Sequence, residues 1–346
     1  MDANGKILVT GASGFIGGRI VEMLVSRGAR VRVATSNPDH CGQLAGAPVE
    51  IVKADLRDHA ALARAVEGCS TVFHVAYKFG GGGVDQRAIN FDGTRALAEA
   101  AIQTGVRRFV HFSSIAAYGP PTTGDLNEAV AARPPTDIYS ETKQKIDAML
   151  RQMHKSRRLP AVILQPTIVY GPKGSMWTTQ LIKQVKSRRV ALPASGQGLC
   201  NAVYVDDVAC AALLASERDA AIGESFLISA AAPVTWREFY EAYAQMSDGN
   251  PAAALDDAQF DAEARRRYGR FRLLAKVRRR LEPRLVSASE LASRLYLPDP
   301  GTRALYAART IVHIDKAREK LGYAPSFDLA RGMAETAVWA QNARLI

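Results

Sequence analysis

Along the first half of the chain, short apolar runs alternate with stretches whose apolar residues recur every three or four positions. "KILVTG" (6–11), "ARVRVAT" (29–35), "VEIVKADL" (49–56), "STVFHVA" (70–76) and "RRFVHFSS" (107–114) have strand length and strand composition. "PAVILQPTIVYG" (160–171) reads as one further strand. Between them, "FIGGRIVEMLVSRG" (15–28) sets Ile16, Ile20, Met23 and Leu24 on one helical side, and "HAALARAVEG" (59–68) reads as a second helix. Longer helices are predicted from about Asn90 to Thr104 and from "YSETK" to about Met153. Strands separated by helices of this length predict a doubly wound parallel sheet covered on both faces, an α/β fold.

After about Pro172 the pattern loosens. "NAVYVDDVACAALLA" (201–215) and "ESFLIS" (224–229) lie among proline-punctuated stretches near Pro233, Pro251, Pro283 and Pro298. The expected organisation is a first domain over 1–171 and a smaller, partly interleaved C-terminal α/β lobe over 172–346, with a soft boundary.

Composition is that of an ordinary globular protein, 47% hydrophobic and 23% charged over 346 residues. The net charge of +11 is local: "RRRYGRFRLLAKVRRR" (265–280) holds nine basic residues and no acid, leaving about +2 elsewhere. No apolar run is long enough for a bilayer, and no charged-then-apolar leader precedes "KILVTGASG". Cys41, Cys69, Cys200 and Cys210 form no CxxC, and the six histidines lack ligand spacing. Neither a disulfide framework nor a metal site is expected, and the cysteine usage suits a reducing cytoplasm.

The candidate chemistry begins at "TGASGFIG", where Gly11, Gly14 and Gly17 fall at a strand-to-helix turn. Glycines there permit a tight bend and close backbone approach to a pyrophosphate, which the helix N-terminus would face with free N–H groups. The same turn could also serve only to pack helix on strand. Downstream, "YSETK" sets Tyr139 and Lys143 one helical turn apart on one face. Spacing alone does not separate a proton-transfer pair from a solvated helix surface.

GxxGxxG together with Tyr139 and Lys143 resembles the extended branch of the short-chain dehydrogenase/reductase superfamily. That branch includes NAD-dependent epimerases and dehydratases, hydroxysteroid dehydrogenases and dihydroflavonol reductases. The chain length and "VYGP" (169–172) fit it, and the resemblance runs from Lys6 to about Val208 with a weaker echo at 314–333. It implies a Rossmann-type domain and an NAD(P) cofactor held by Gly11, Ser13, Gly14, Phe15, Ile16 and Gly17. Thr35 and Ser36, Asp55 and Leu56 of "ADLRD", Val75 and Ala76 of "FHVA", and Pro166, Thr167 and Ile168 of "QPTIVYG" would complete the cofactor site. Asn90 of "NFDGT" would lie on the helix behind the active site. His74 and His111 read as buried, hydrogen-bonded structural histidines.

The resemblance gives each catalytic residue a task. Tyr139 would exchange a proton with the substrate oxygen as hydride moves, and Ser114 would hold that oxygen, with Ser113 the runner-up. Lys143 would bind the nicotinamide ribose hydroxyls and, with the oxidised nicotinamide, lower the phenol from its ordinary ~10. The second strand ends "RVATSNPDH", with no carboxylate before Asp39 and with Arg30 and Arg32 near in sequence, a slight tilt to NADP over NAD.

Absences narrow the reaction. Ile115 and Ala116 replace the Asp–Glu pair of the dehydratases. Cys200 or Asn201 stands where sugar-nucleotide epimerases commonly carry a pyrophosphate-gripping arginine, and Ile168 where they often carry asparagine. The readings left are an oxidoreductase for a secondary alcohol or ketone, a (nucleotide-)sugar epimerase using the same three residues, and a non-catalytic NAD(P)-sensing protein. Related enzymes are commonly dimers, so a homodimer is expected.

Two further features stand apart. Tyr268, Phe271, Leu274, Val277 and Leu281 recur among the arginines of 265–281 as an amphipathic basic helix. It could pack on the C-terminal lobe, contact an anionic membrane surface, or bind phosphates; no nucleic-acid motif accompanies it. Gly80 to Gly83 read as a flap over the substrate or a flexible surface loop.

Overall fold

The runs at 7–9, 72–73, 109–110 and 161–164 are apolar at successive positions, so strands built from them must be covered on both sides. The computed structural model describes residues 5–44, 46–80, 83–265 and 295–346. At its centre β1 (Lys6–Thr10), β2 (Val31–Thr35), β3 (Val49–Lys53), β4 (Cys69–His74) and β5 (Arg108–Phe112) pair in parallel. A short strand, β6 (Gly124–Leu126), lies outside this sheet, which is completed by β7 (Ala161–Pro166) and the strand Ser225–Ile228. The order across the seven strands is Ser225–Ile228, β7, β5, β4, β1, β2, β3. Progression reverses between β1 and β4, and the carboxyl ends of those two strands border the crevice where such sheets take ligands.

Helices cover both faces. On one, α1 (Phe15–Ser26) places Ile20 and Leu24 in a core with Val9, Phe73 and Val110. On the other, α2 (His59–Val66), α3 (Gly83–Gln103) and α4 (Ile138–Arg157) bring Leu62, Leu97, Ile146 and Leu150 against Leu8, Val72 and Phe109. Neighbouring strand residues thus serve opposite cores: Leu8 and Val9 are both fully buried. Truncating a side chain such as Leu24 to alanine would cost ~2–5 kcal/mol. This is a Rossmann-type α/β fold.

The later chain returns to the sheet. After α5 (Gln180–Ser187), α6 (Val205–Glu217) packs with α1 and contributes Val208 and Leu213 to its core, and Ser225–Ile228 pairs with β7. Arg19 on α1 grips Asp206 on α6 with two bonds of 2.6 and 2.7 Å. A third core gathers Trp236, Phe239, Tyr240 and Tyr243 of α7 (Trp236–Met246) around Leu181, Ile182 and Val185.

Two elements differ from the sequence reading. The helix expected from Asn90 begins at Gly83, and the Asn90 amide bonds the Gln86 carbonyl inside it. The run 160–171 is two strands, because successive amides change partner: Thr167 N–H bonds Ile228 O, whereas Ile168 N–H bonds Asn201 O. Gly81, Gly82 and the basic stretch after Arg265 lie outside the described residues, as do both readings attached to them. Among the described residues, no helix is long and apolar enough to cross a membrane.

Candidate active site

The glycine turn joins β1 to α1 beside the end of β4. Gly11 has φ +72°, and a Cβ there would sit 2.7 Å from Ala76 N. A Cβ on Gly17 would lie 2.3 Å from Gly11 O. No side chain caps α1 at Gly14, and no acid occupies its first turn. The turn is therefore a backbone cradle at a positive helix end, which fits a dinucleotide pyrophosphate. Val75 and Ala76 border it, and Ser13 and Gly14 are exposed at its rim.

Beneath it, Thr94 donates its hydroxyl proton to Asn90 O (2.6 Å) and so accepts from His74 Nε2 (2.9 Å). His74 Nδ1 then accepts from Thr10 Oγ1 (2.8 Å), which in turn accepts from Ala76 N–H (3.2 Å). His74 is thus buried and satisfied; burial drives its pKa down to about 3. His111 is equally buried, but neither ring nitrogen has a hydrogen-bond partner among the described residues, contrary to the sequence reading.

The three candidate catalytic residues converge from two elements. Ser113 and Ser114 follow β5, where the chain is extended, so their side chains diverge. Ser114 lies close enough to Tyr139 to lower its phenol, and its hydroxyl accepts from Ala116 N–H (3.2 Å). Ser113 turns to Asp147 instead, at 2.9 Å. Asp137 caps α4 by accepting from Ser140 N–H (2.8 Å), starting the helix one residue before Tyr139. Lys143 is buried, its ammonium 2.6 Å from Phe112 O. A solvated helix face does not describe this pair.

Burial pushes the Tyr139 phenol up to about 12, partly offset by the bond from Ser114. The expected lowering by Lys143 is not met here, because its ammonium is held at the end of β5, 5.8 Å from the centre of the Tyr139 ring. Burial takes Lys143 down to about 8, with Asp147 opposing.

Sequence reading missed the aromatic cover. Phe79 stacks on Tyr139 (centroids 5.6 Å apart, planes 23°), and Tyr77 meets it edge-on at 5.1 Å. The Lys143 ammonium lies 4.6 Å from the Tyr77 ring centre. Asn90 pins this segment: its Oδ1 accepts from Lys78 N–H (2.7 Å) and its Nδ2 donates to Lys78 O (3.0 Å). The aromatic residues of "YKF" were a signal in the sequence, but spacing after a strand does not reveal what a loop covers.

At the adenosine end, Thr35 closes β2 and Ser36 is exposed beyond it. Arg32 is unsuited to a 2′-phosphate: it bonds Ala65 O and Glu67 O (both 2.8 Å) and pairs with Glu50. Arg30 precedes β2, at the opposite strand end. Asp55 follows β3, held down to about 2 by Arg57, and Leu56 packs against Gly93 of α3. Pro166 ends β7, Thr167 Oγ1 bonds Ile228 O (3.3 Å), and Ile168 opens the next strand. Cys200 is buried, and Asn201 donates to Thr310 O (2.9 Å).

The sequence pattern of the NAD dependent epimerase/dehydratase family matches residues 7–229. The 2-alkyl-3-oxoalkanoate reductase of Stenotrophomonas maltophilia is 28% identical over 345 residues, 95% of this chain and 97% of that protein. The 3beta-hydroxysteroid-dehydrogenase/decarboxylase isoform 1 of Arabidopsis thaliana is 25% identical over 363 residues, 95% of this chain and 78% of that one. Among solved structures, the UDP-glucose 4-epimerase of Thermotoga maritima superposes with a TM-score of 0.74 at 21% identity, covering 98% of this chain and 99% of that chain. At that identity the likeness concerns the fold.

Proposed function

This chain belongs to the NAD dependent epimerase/dehydratase family, and on that premise we propose that it is an NAD(P)-dependent oxidoreductase acting on the ketone or secondary alcohol of a largely apolar small molecule. The observation that carries the proposal is the cover of Tyr139 by Phe79 and Tyr77 beside Ser114 and Lys143. An aromatic wall on the proton donor suits an apolar substrate better than a hydroxyl-rich sugar. The two curated relatives support it, being named for a 3-oxoalkanoate and a 3β-hydroxysteroid, a ketone and a secondary alcohol.

Gly11, Ser13, Gly14, Phe15, Ile16 and Gly17, with Asp55, Leu56, Val75, Ala76 and the 166–168 segment, would hold the dinucleotide, whose chemistry is to supply or receive the hydride. In the reducing direction the Tyr139 phenol gives its proton to the carbonyl oxygen, which thereby becomes the alcohol hydroxyl. The Ser114 hydroxyl holds that oxygen. Lys143, one turn along α4 from Tyr139 and bonded to Phe112 O, would bind the nicotinamide ribose hydroxyls. A phenol pushed up to about 12 keeps its proton at neutral pH, which favours the donor role.

For the cofactor we infer NADP over NAD, on one ground now that Arg32 is engaged elsewhere. Thr35, Ser36 and Asn37 offer hydroxyl and amide groups where a carboxylate would repel a 2′-phosphate.

The test is NADPH oxidation with a panel of alkyl and polycyclic ketones beside UDP-sugars. Turnover of ketones that falls at least ~100-fold in Tyr139→Phe supports the reading. Tightly held NAD released on denaturation, with interconversion of sugars and no net oxidation, overturns it in favour of an epimerase. Nucleotide binding without turnover of any substrate leaves the sensing reading.

A further inference from the structure

On α4, Tyr139, Lys143, Asp147 and Arg151 recur at four-residue intervals, a stripe running from the site toward the surface. Lys143 and Asp147 are 4% and 1% exposed, whereas the Arg151 side chain is 45% exposed. Every nearby donor points at one oxygen of Asp147. Ser113 Oγ and Gln165 Nε2 each donate to Oδ2 at 2.9 Å, and Arg151 Nη2 lies 3.8 Å from it. Gln165 is oriented in turn by Tyr118, whose hydroxyl donates to its Oε1 at 2.9 Å. Burial raises this carboxyl, and Arg151, Ser113, Gln165 and Lys143 oppose the rise; a set of donors without an opposing acceptor fits the ionised form, which only accepts.

The other oxygen, Oδ1, is buried and has no hydrogen-bond partner among the described residues. One turn earlier, the Lys143 ammonium has three protons and bonds Phe112 O with one. A carboxylate buried without a cation takes up a proton, and a lysine buried without an anion gives one up. The other groups facing them bring no cation. His111 on β5 and His74 on β4 are kept neutral by burial, and burial also raises the phenols of Tyr77 and Tyr118. Glu128 caps Leu227 N–H (2.7 Å), and Asp137 caps the start of α4.

We propose that Asp147 is a positioning residue, a buried carboxylate that keeps the Lys143 ammonium charged and, through Ser113, fixes where Ser114 stands. The two tasks share one geometry. Ser113 and Ser114 are consecutive, one turned back to α4 and one forward to Tyr139. Holding the first therefore sets the reach of the second, and Gln165 ties the same carboxylate to β7. Asp147 thus couples the spacing of three elements to the charge of the site. The catalytic consequence rests on the function proposed above; the charge of Lys143 does not.

The test reads Lys143 directly, in protein without nucleotide, by titrating 13C-labelled lysine side chains and assigning the resonance by its loss in Lys143→Arg. Asp147→Asn, which keeps an oxygen for Ser113, should lower the Lys143 pKa by ~1 unit or more, whereas Asp147→Glu should leave it within ~0.5 unit. With a ketone substrate, the alkaline limb of kcat/KM should shift down in the same order. A folded Asp147→Asn protein with unchanged Lys143 titration overturns the proposal. If that variant does not fold, the carboxyl 13C shift of Asp147 in the unaltered protein decides: an ionised group at pH 7 agrees, and a protonated one overturns. Since the nucleotide-free titration needs no substrate, failure of the functional reading and failure of this one give different results.

Discussion

The ring of Phe79 lies flat on that of Tyr139, 5.6 Å away and inclined by 23°, while 63% of Phe79 stays open to solvent. An exposed aromatic on the proposed proton donor is placed to face a substrate. Phe79→Ala should therefore raise KM for alkyl and polycyclic ketones about tenfold, with a smaller change for small polar ones. Less burial should also let the phenol fall from about 12 toward its ordinary range. Ultraviolet titration, with Tyr139→Phe as the blank, reads the second effect. Unchanged KM and titration would show that the ring has no part in the site.

Asn90 controls the same cover from below. Its side chain bonds both backbone groups of Lys78, between Tyr77 and Phe79, and is 1% exposed. Asn90→Ala should free the Lys78 amide to exchange at least ~10-fold faster while β4 stays protected. The ketone KM should rise with it. Equal exchange in both proteins would mean that other contacts hold the segment.

The sheet was legible because its central strands are apolar on both faces and its helices are not, although β3 at the edge is largely exposed. The Tyr139–Lys143 spacing was legible because four residues make about one turn. Partners across space were less so. Arg32 looked available for a phosphate until the end of α2 and Glu50 proved to hold it. Nothing in "KQKID" marks Asp147 as buried, since its partners Ser113 and Gln165 come from two other elements. Similarly, Thr167 splits an apolar run because its neighbours bond different strands, a long-range choice that local pattern does not encode.

Gly17→Ala isolates the nucleotide cradle. Its Cβ would meet the Gly11 carbonyl oxygen at 2.3 Å, backbone against backbone, leaving no flexible side chain to yield. The turn has to open, so nucleotide affinity should fall at least ~10-fold and thermal stability with it. Gly28→Ala is the comparison: it meets no atom within 4 Å but also has a positive φ of +73°, so it carries backbone strain without steric overlap. NADPH fluorescence titration should show a loss of affinity for the first variant alone.

Cofactor preference should respond to Ser36→Asp. Ser36 is exposed just past β2, where a carboxylate could accept from a ribose 2′-hydroxyl and would repel a 2′-phosphate. The ratio of Kd for NADH to Kd for NADPH should fall at least ~10-fold. An unchanged ratio would remove the β2 end from the choice of cofactor.

Lys143 gives folding a pH dependence of its own. Burial sets its pKa at about 8, below the ordinary 10.5. Between those values the unfolded chain binds more protons than the folded one, so this group makes stability rise with pH. Below pH 8 both states hold the proton, and the cost of burying the ammonium is fully present. The expected gain from pH 8 to 10 is about 2 kcal/mol, from ~1.4 kcal/mol per unit of full linkage. Tyr139 acts oppositely above about pH 10, because its raised phenol favours the unfolded state as pH climbs. Comparing urea unfolding of the unaltered protein with Lys143→Met cancels that opposing contribution. The difference in stability between the two proteins should grow with pH across the window in favour of the unaltered one. A constant difference would mean that Lys143 is not held charged at a depressed pKa in the folded chain.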